Sequence, residues 1–322
     1  MMERFEGKLA VVTGGGTGMG RELARQLAAD GCGVAICDVS TENMAVTKSM
    51  CEDGSPAAPR VSTFVADVSA SRQMDAFASH VAEAHDTDCI HLLFNNAGIG
   101  GGGSIVVDRA AEWDKVFGVC WGGVYNGTRA FLPMLLAAEV GHVVNTSSVN
   151  GFWACLGPNA HTAYSAAKFA VKGFTEALIV DFRQNAPHLK ASVVMPGHIG
   201  TSIVFNSGAY LGRDLKELRD EQVAELRDRL AAQGLDVSAA SDEDIRQAML
   251  MRAEGFRDDA PTTAAEAATI ILDGVRVGAW RILVGHDAVM LDEMVRAEPD
   301  VVYEPAFMER LRAGNVFDFI PD

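Results

Sequence analysis

The chain has 322 residues, of which 48% are hydrophobic, and a formal charge of −16 at pH 7. This length and hydrophobic fraction are enough for a sizeable core and argue against global disorder. A strongly negative field repels phosphate backbones and anionic lipid surfaces, so neither nucleic acid nor a membrane is an expected partner.

The cysteines and the N-terminus bear on the cell compartment. None of the six cysteines forms a CxxC pair, which predicts reduced thiols rather than a disulfide framework. The first residues are charged and lack the apolar core of a signal peptide, and no apolar run approaches the ~20 residues of a membrane span. We therefore expect a cytoplasmic protein. No catalytic metal is expected, because the histidines and cysteines lack metal-ligand spacing.

Apolar runs of strand type alternate with segments of helical periodicity along the chain. The strand-type runs lie at 8–13, 33–40, 61–69, 90–98, 141–148, 190–197 and 279–285, and the longest helical segments at 111–138 and 162–184. Near-continuous apolar strands are typical of a parallel sheet covered on both faces. The pattern predicts one doubly wound α/β domain over 1–322, a Rossmann fold of about seven strands.

Two regions depart from this alternation. Residues 203–260 are rich in charge, and they form either a solvated helical excursion or a lid over a pocket. The lid interpretation rests on their position after the carboxyl end of a strand, where ligands bind in such sheets. A C-terminal extension at 287–322 packs either on its own domain or on a neighbouring subunit. The helical excursion carries leucines spaced roughly as one helical face, namely Leu211, Leu215, Leu218, Leu226 and Leu230.

The stretch "TGGGTGMG" follows the first strand and opens the first helix. Glycines at 14, 18 and 20 allow a tight turn and let a pyrophosphate approach the helix N-terminus, where N–H groups favour negative charge. Asp38 ends the second strand, where a carboxylate binds ribose hydroxyls and repels a 2′-phosphate. Thr17 supplies no compensating positive charge. These residues predict a dinucleotide site that prefers NAD over NADP; the alternative for the glycines is merely a tight turn.

In the stretch "YSAAK", Tyr164 and Lys168 lie four residues apart and so on one helix face. The ammonium is expected to lower the pKa of the phenol from its usual ~10. The pair is therefore a candidate proton donor and acceptor near neutral pH, although this spacing also occurs by chance.

Six motifs stand in one order along the chain: "TGGGTGMG", "DV" at 67–68, "NNAG" at 95–98, "NTSS" at 145–148, "YSAAK" at 164–168 and "PGHIGT" at 196–201. In this the chain resembles the short-chain dehydrogenase/reductase family, over about 5–202 and again over 260–285. The resemblance implies a nicotinamide-dependent oxidoreductase that interconverts a secondary alcohol and its ketone.

The resemblance also implies roles for individual residues. Ser148 would donate a hydrogen bond to the substrate oxygen, Tyr164 would exchange the proton, and Lys168 would bind the nicotinamide ribose. Asp67 would meet the adenine amine, and Val68 would pack on the ring. The cofactor-binding residues implied in full are Gly14, Thr17, Gly18, Met19, Gly20, Asp38, Asp67, Val68, Asn95, Ala97, Gly98, Tyr164, Lys168, Pro196, Gly197, Ile199 and Thr201.

The chain departs from the family at residue 120. The family usually has an asparagine in a V-N-x-x-G pattern, tied to a water that links the lysine to solvent, whereas "VCWGG" at 119–123 places Cys120 there. A thiol is a weak donor and acceptor, so we expect a weaker proton relay or one by another route. Asn126 lies near the opposite helix face and is not an expected substitute. The alternative is that Cys120 is simply a small buried side chain.

A loop longer than is usual in the family is expected at the pocket mouth, between the serine and the tyrosine. Phe152 and Trp153 in this loop either face the substrate or cover the core. His161 and His198 lie near the expected site, as satisfied polar residues or as catalytic ones.

The pocket-forming stretches are substantially apolar, which predicts a hydrophobic small-molecule substrate. Family members commonly assemble through their two long helices, so we expect a homo-oligomer, a tetramer or a dimer, built on 111–138 and 162–184. An alternative function is that of an NAD-binding sensor or scaffold with weak catalysis, because Cys120 replaces the usual asparagine.

Overall fold

In the computed structural model, residues 4–53, 60–106, 109–154, 160–232 and 236–314 are described. The strands are β1 (Leu9–Thr13), β2 (Gly33–Asp38), β3 (Val61–Val65), β4 (Leu92–Asn95), β5 (Gly141–Thr146), β6 (Leu189–Pro196), β7 (Ile199–Gly200), β8 (Thr262–Thr263) and β9 (Arg281–Val284). Seven of them form one parallel sheet in the order β3-β2-β1-β4-β5-β6-β9, and β7 pairs separately with β8. The predicted doubly wound sheet of seven strands is confirmed.

The order in which the chain adds strands to the sheet reverses between β1 and β4, which are parallel neighbours. The chain builds outward from β1 to β3 and then returns to place β4 on the other side of β1. At such a switch point the loops at the carboxyl ends diverge and leave a crevice. The glycine-rich turn after β1 and the polar residues after β4 therefore meet at one edge.

The helices of the described chain cover both faces of this sheet. They are α1 (Gly18–Ala29), α2 (Thr41–Asp53), α3 (Ser71–His85), α4 (Ala110–Phe117), α5 (Gly123–Ala137), α6 (Thr162–Asn185), α7 (Ile203–Tyr210), α8 (Asp220–Ala232), α9 (Asp242–Asp258), α10 (Ala264–Val277), α11 (His286–Ala297) and α12 (Pro305–Ala313). In β1, Val12 packs in the cluster that contains Leu23 of α1, while Val11 packs with Phe77 of α3. Burial on both faces explains why the strands read as unbroken apolar runs.

A π-helical turn, Gly118–Gly122, joins α4 to α5 and contains Cys120. The sequence predicted one long helix over 111–138; the structure has continuous helical residues there, with this π turn in the middle. A π turn inserts one extra residue into the helix, and such turns are frequent at functional sites.

The described residues between 203 and 260 include α7, α8 and α9, of which α8 and α9 pack around a small core of Leu218, Val223 and Ile245. The described part of the C-terminal extension packs on its own chain, because Phe307 and Leu311 of α12 share a buried cluster with Trp153. Residues 315–322, including Phe317, Phe319 and Pro321 of that extension, lie outside the described residues. In the described ranges, no helix combines the length and apolarity that crossing a bilayer requires.

Candidate active site

The glycine-rich turn holds the N-terminus of α1 against the carboxyl end of β1. Gly14 has a φ of 65°, and a β-carbon there would lie 2.8 Å from Cα of Ala97. A β-carbon on Gly20 would lie 2.1 Å from the carbonyl oxygen of Gly14. Only glycine fits at either position. Gly20 therefore lies behind the turn and allows the helix to pack closely on it.

Asp38 at the end of β2 is fixed beside this turn. One carboxylate oxygen accepts a hydrogen bond from the backbone N–H of Gly16 at 3.0 Å, and the other from that of Ser40 at 3.1 Å. On the other side of the turn, Arg21 donates to the Gly16 carbonyl at 2.5 Å and to the Thr47 hydroxyl at 3.1 Å. The acidic group thus borders the crevice, and the basic group braces the turn from behind.

The crevice is a cleft of about 480 Å³ that runs along the edges of β1, β2 and β4. Asn95 lies outside this lining and is buried in the sheet, where its amide donates to the Thr128 hydroxyl and to the Asn145 side chain. Of the predicted cofactor-binding residues, those that line the cleft are Gly14, Thr17, Gly18, Met19, Asp38, Asp67, Val68, Ala97, Gly98 and Thr201.

Ser148, Tyr164 and Lys168 meet in a second cavity of about 490 Å³, which adjoins the cleft. Ser148 follows β5 and lines this cavity together with Tyr164, which lies on the first turn of α6. The Lys168 ammonium lies one turn further along, 5.3 Å from the centre of the tyrosine ring, and donates to the Thr146 carbonyl at 2.9 Å. Pro196, Gly197 and Ile199 line the same cavity. The fold therefore gathers the three predicted catalytic residues at one point.

The pKa of Tyr164 differs from the sequence-based expectation. Removal of the half-buried phenol from water raises its pKa above the usual value, while the Lys168 ammonium and, less strongly, the Ser148 side chain lower it. Burial outweighs the charge, so the predicted net lowering is wrong for this state of the protein. At neutral pH the phenol retains its proton and can donate it.

Cys120 lies beside the lysine, with its thiol directed at the backbone. Its S–H donates to the carbonyl of Ile99, with Sγ 3.2 Å from the oxygen. A β-carbon on Gly98 would lie 3.5 Å from Nζ of Lys168 and 3.8 Å from Sγ of Cys120. The side chain of Asn126 donates instead to the backbone carbonyls of Val68 and Ser69. Cys120 is therefore a buried neighbour of Lys168, and Asn126 is engaged elsewhere.

Helix α7 lines both the cleft and the second cavity. Asn206 donates to the Thr17 hydroxyl at 2.9 Å, and the Tyr210 hydroxyl donates to the Asp67 carboxylate at 2.8 Å. Partial burial raises the pKa of Asp67, but hydrogen bonds from Ser69 and Tyr210 lower it below its usual value. Sequence reasoning missed Asn206 and Tyr210; their i, i+4 spacing on an apolar helix is the one local signal.

Several residues with two possible roles are now placed. Trp153 is fully buried and donates through its indole N–H to the Val302 carbonyl at 3.0 Å, so it belongs to the core. Phe152 packs against the same buried cluster. His198 lines the second cavity and donates from Nε2 to the Phe256 carbonyl at 2.7 Å, because a carbonyl can only accept. His161 lines the cavity too, and burial together with the charge of Arg252 lowers its pKa.

Residues of the 203–260 region line one side of the second cavity; that the region acts as a lid stays a prediction. The predicted leucines that line it are Leu211, Leu215, Leu218 and Leu226. Across the described residues, no group of three or more His, Cys, Asp and Glu side chains is arranged to hold a metal.

Comparison with known proteins agrees with this geometry. Residues 8–210 match the family model of the short chain dehydrogenases. SadH from Mycobacterium tuberculosis is 32% identical over 320 residues, which cover 99% of each chain.

Solved structures show the same fold. A short chain dehydrogenase/reductase from Burkholderia phymatum in complex with NAD superposes with a TM-score of 0.72 at 30% identity, covering 95% of this chain and 98% of that one. A metagenomic short-chain oxidoreductase in complex with NADP gives 0.53 at 32% identity, covering 60% and 83%. The chain therefore belongs to the short-chain dehydrogenase family of oxidoreductases.

Proposed function

We propose that the protein is an NAD-dependent oxidoreductase that interconverts a hydrophobic secondary alcohol and its ketone. The observation that carries this proposal is that Ser148, Tyr164 and Lys168 line one cavity, with the Lys168 ammonium 5.3 Å from the centre of the tyrosine ring. A hydroxyl pair next to an ammonium is suited to bind a substrate oxygen and to exchange its proton.

The cleft fits a dinucleotide. The glycine turn leaves room for a pyrophosphate at the N-terminus of α1. The Asp38 carboxylate is held where the hydroxyls of the adenosine ribose would lie. A nicotinamide cofactor bound there would accept or supply the hydride. The Asp38 carboxylate disfavours a 2′-phosphate, and Arg21 is occupied behind the turn. The related structures hold NAD in one case and NADP in the other, so the preference for NAD rests on Asp38.

The protein's own groups supply the proton chemistry. For ketone reduction, the protonated phenol of Tyr164 donates to the substrate oxygen while Ser148 stabilises the charge that develops there. For alcohol oxidation, the tyrosinate takes the hydroxyl proton, and the Lys168 ammonium stabilises this charged form. The Thr146 carbonyl holds Lys168 in place through its hydrogen bond.

The second cavity supports a hydrophobic substrate. Its outer wall comes from the 203–260 region and includes Leu211, Leu215, Leu218, Met249 and Phe256. An apolar wall of this kind favours an apolar substrate body and excludes water from the reaction centre.

Assembly into a homo-oligomer, a tetramer or a dimer, is part of the proposal. Large apolar side chains are exposed on α5 (Tyr125 and Leu136) and on α6 (Phe169 and Val180). Exposed apolar side chains on two neighbouring helices are typical of an interface. Light scattering that gives a monomer mass would contradict this, and the cytoplasmic location remains a prediction.

A second candidate is an NAD-binding sensor or scaffold with weak catalysis. The observation that favours it is Cys120, whose S–H is committed to the Ile99 carbonyl next to Lys168. A thiol bound in this way is a poor member of a proton relay.

The two candidate functions are distinguished by an assay in which hydrophobic secondary alcohols are oxidised with NAD and the formation of NADH is measured. We expect turnover in the wild type and a fall in kcat of about 10³-fold in Tyr164→Phe, because a general acid–base is lost. Tyr125→Phe on the exposed face of α5 is the matched control and should retain full activity. NADH binding without turnover of any alcohol or ketone would favour the sensor.

A further inference from the structure

Asp287 is a buried carboxylate that the chemistry above does not use. It lies in the first turn of α11, just after β9, and is 7% exposed. Burial raises its pKa above the usual value, although the backbone N–H of His198 lowers it in part. The burial of a charged group costs free energy. A carboxylate kept in such a place therefore calls for a function.

Two glycines leave the space that this carboxylate fills. A β-carbon on Gly197 would lie 2.3 Å from Oδ2 of Asp287, and one on Gly285 would lie 2.4 Å from Oδ1. Gly285 also has a φ of 99°, a conformation that favours glycine and lets the chain turn from β9 into α11. The carboxylate thus lies directly against the backbone of Gly197.

The same carboxylate holds the turn that follows β6. Its Oδ2 accepts a hydrogen bond from the backbone N–H of His198 at 2.6 Å. The N–H of the preceding Gly197 donates to the carbonyl of Val284 at 3.0 Å. Two consecutive N–H groups of the turn are therefore bound by the segment that runs from β9 into α11. On the other side, the ring of His198 packs on that of Phe256 of α9, with 4.4 Å between the ring centres.

This turn borders the reaction centre. Gly197 and His198 line the second cavity together with Tyr164, whereas Asp287 is not among the described residues that line it. Thr201, three residues beyond His198, lines both the cleft and the cavity. A cofactor that reaches from the cleft to Tyr164 must therefore pass this turn with its nicotinamide end.

We propose that Asp287 is a positioning residue, which fixes the turn at Gly197 and His198 and so holds the nicotinamide end of the cofactor without touching it. This inference rests on the proposed function, because it concerns the same site. A hydrogen bond to an ionised acceptor is about twice as strong as one between neutral groups. Hydride transfer depends on placement to a fraction of an ångström, which such a bond can secure.

The test is cofactor binding, which needs no turnover. Isothermal titration calorimetry would compare NADH with ADP-ribose, which has the same adenosine, pyrophosphate and second ribose but no nicotinamide. In Asp287→Ala we expect the affinity for NADH to fall about tenfold and that for ADP-ribose to change by less than about twofold. Asp287→Asn keeps an acceptor oxygen and should restore the affinity for NADH to within about threefold of the wild type.

Asp292→Ala is the matched control. Asp292 lies on the same helix, is also 7% exposed, and accepts hydrogen bonds from Arg281 and, at 3.0 Å, from Arg296. Its loss should lower the melting temperature but leave both affinities as in the wild type, which separates the stability of α11 from the position of the turn.

A second variant applies if Asp287→Ala does not fold. In Gly197→Ala the added methyl group would displace the same carboxylate from the turn. Binding of NADH should again weaken while binding of ADP-ribose persists, and an unchanged affinity for NADH would contradict the proposal.

Three results in folded protein would each overturn the inference: wild-type affinity for NADH in Asp287→Ala, equal losses for NADH and ADP-ribose, or an Asp287→Asn variant as weak as Asp287→Ala. These results are distinct from failure of the proposed function. A selective loss of NADH binding supports the role of Asp287 even if no alcohol turns over. Turnover with NAD and full NADH affinity in Asp287→Ala would support the oxidoreductase and overturn the positioning role.

Discussion

The two regions that enclose the second cavity are built in different ways. Ser148 and Lys168 stand on the carboxyl edge of the sheet and are 7% and 3% exposed, fixed by hydrogen bonds within the main core. The opposite wall, residues 203–260, has its own small core around Val223 and carries exposed arginines.

This difference separates chemistry from selection of the substrate. Proton transfer needs side chains held to a fraction of an ångström, which a well-packed core provides. A wall with few buried contacts is drawn from the less stable part of a protein and can open for ligands. Changes at the sheet edge should therefore alter the rate for every substrate, whereas changes in 203–260 should alter affinity.

The largest effect that sharpens this comparison is expected for Lys168→Met. Burial already raises the pKa of Tyr164, and loss of the ammonium raises it further. At neutral pH the tyrosinate becomes scarcer, so kcat/KM for oxidation should fall about 100-fold. Oxidation should recover as pH rises, while reduction, which uses the protonated phenol, should change less. The measurement is the dependence of kcat/KM on pH, recorded separately for alcohol oxidation and for ketone reduction.

Lys172→Met is the control for that experiment. Lys172 lies one turn along α6 and forms a surface ion pair with Glu176 at 2.8 Å, so its loss should leave both profiles unchanged. An oxidation profile that is identical in Lys168→Met and in the wild type would show that the ammonium does not act on the phenol.

A smaller effect is expected for Asp38→Asn, which tests the cofactor end of the same edge. Removal of the negative charge lowers the repulsion of a 2′-phosphate, while the amide oxygen can still accept one backbone hydrogen bond. We expect the ratio of NADPH to NADH affinity to rise about tenfold. Fluorescence titration of both cofactors measures it, with Asp75→Asn on the exposed face of α3 as control. Unchanged selectivity would remove the basis for preferring NAD.

The sequence-based predictions succeeded where the information is local. Strand periodicity defined the sheet, and the close approaches at Gly14 and Gly20 explain why the turn can be recognised from glycines alone. The three proposed catalytic side chains meet because β5 ends and α6 begins at the same edge of a parallel sheet.

Tertiary properties were not accessible from the sequence. The net pKa of Tyr164 depends on how much water the fold removes, which the i, i+4 spacing to Lys168 does not reveal. Trp153 belongs to the core because α12, which lies about 150 residues further along the chain, packs on it. The extra residue of the π turn around Cys120 leaves no mark in the hydrophobic spacing.

The smallest effect is expected at the boundary between the two regions, in Tyr210→Phe. This change removes the hydrogen bond from α7 to Asp67, which also accepts from Ser69 and so retains a partner. Water can replace the lost donor at this half-buried position, so we expect NAD to bind about threefold more weakly and NADH to leave faster, with an unchanged pH profile. Stopped-flow release of NADH measures this, with Tyr125→Phe as the matched control. If kcat instead falls 100-fold for all substrates, α7 is part of the rigid catalytic edge, and the boundary between the two regions lies after Tyr210 rather than before α7.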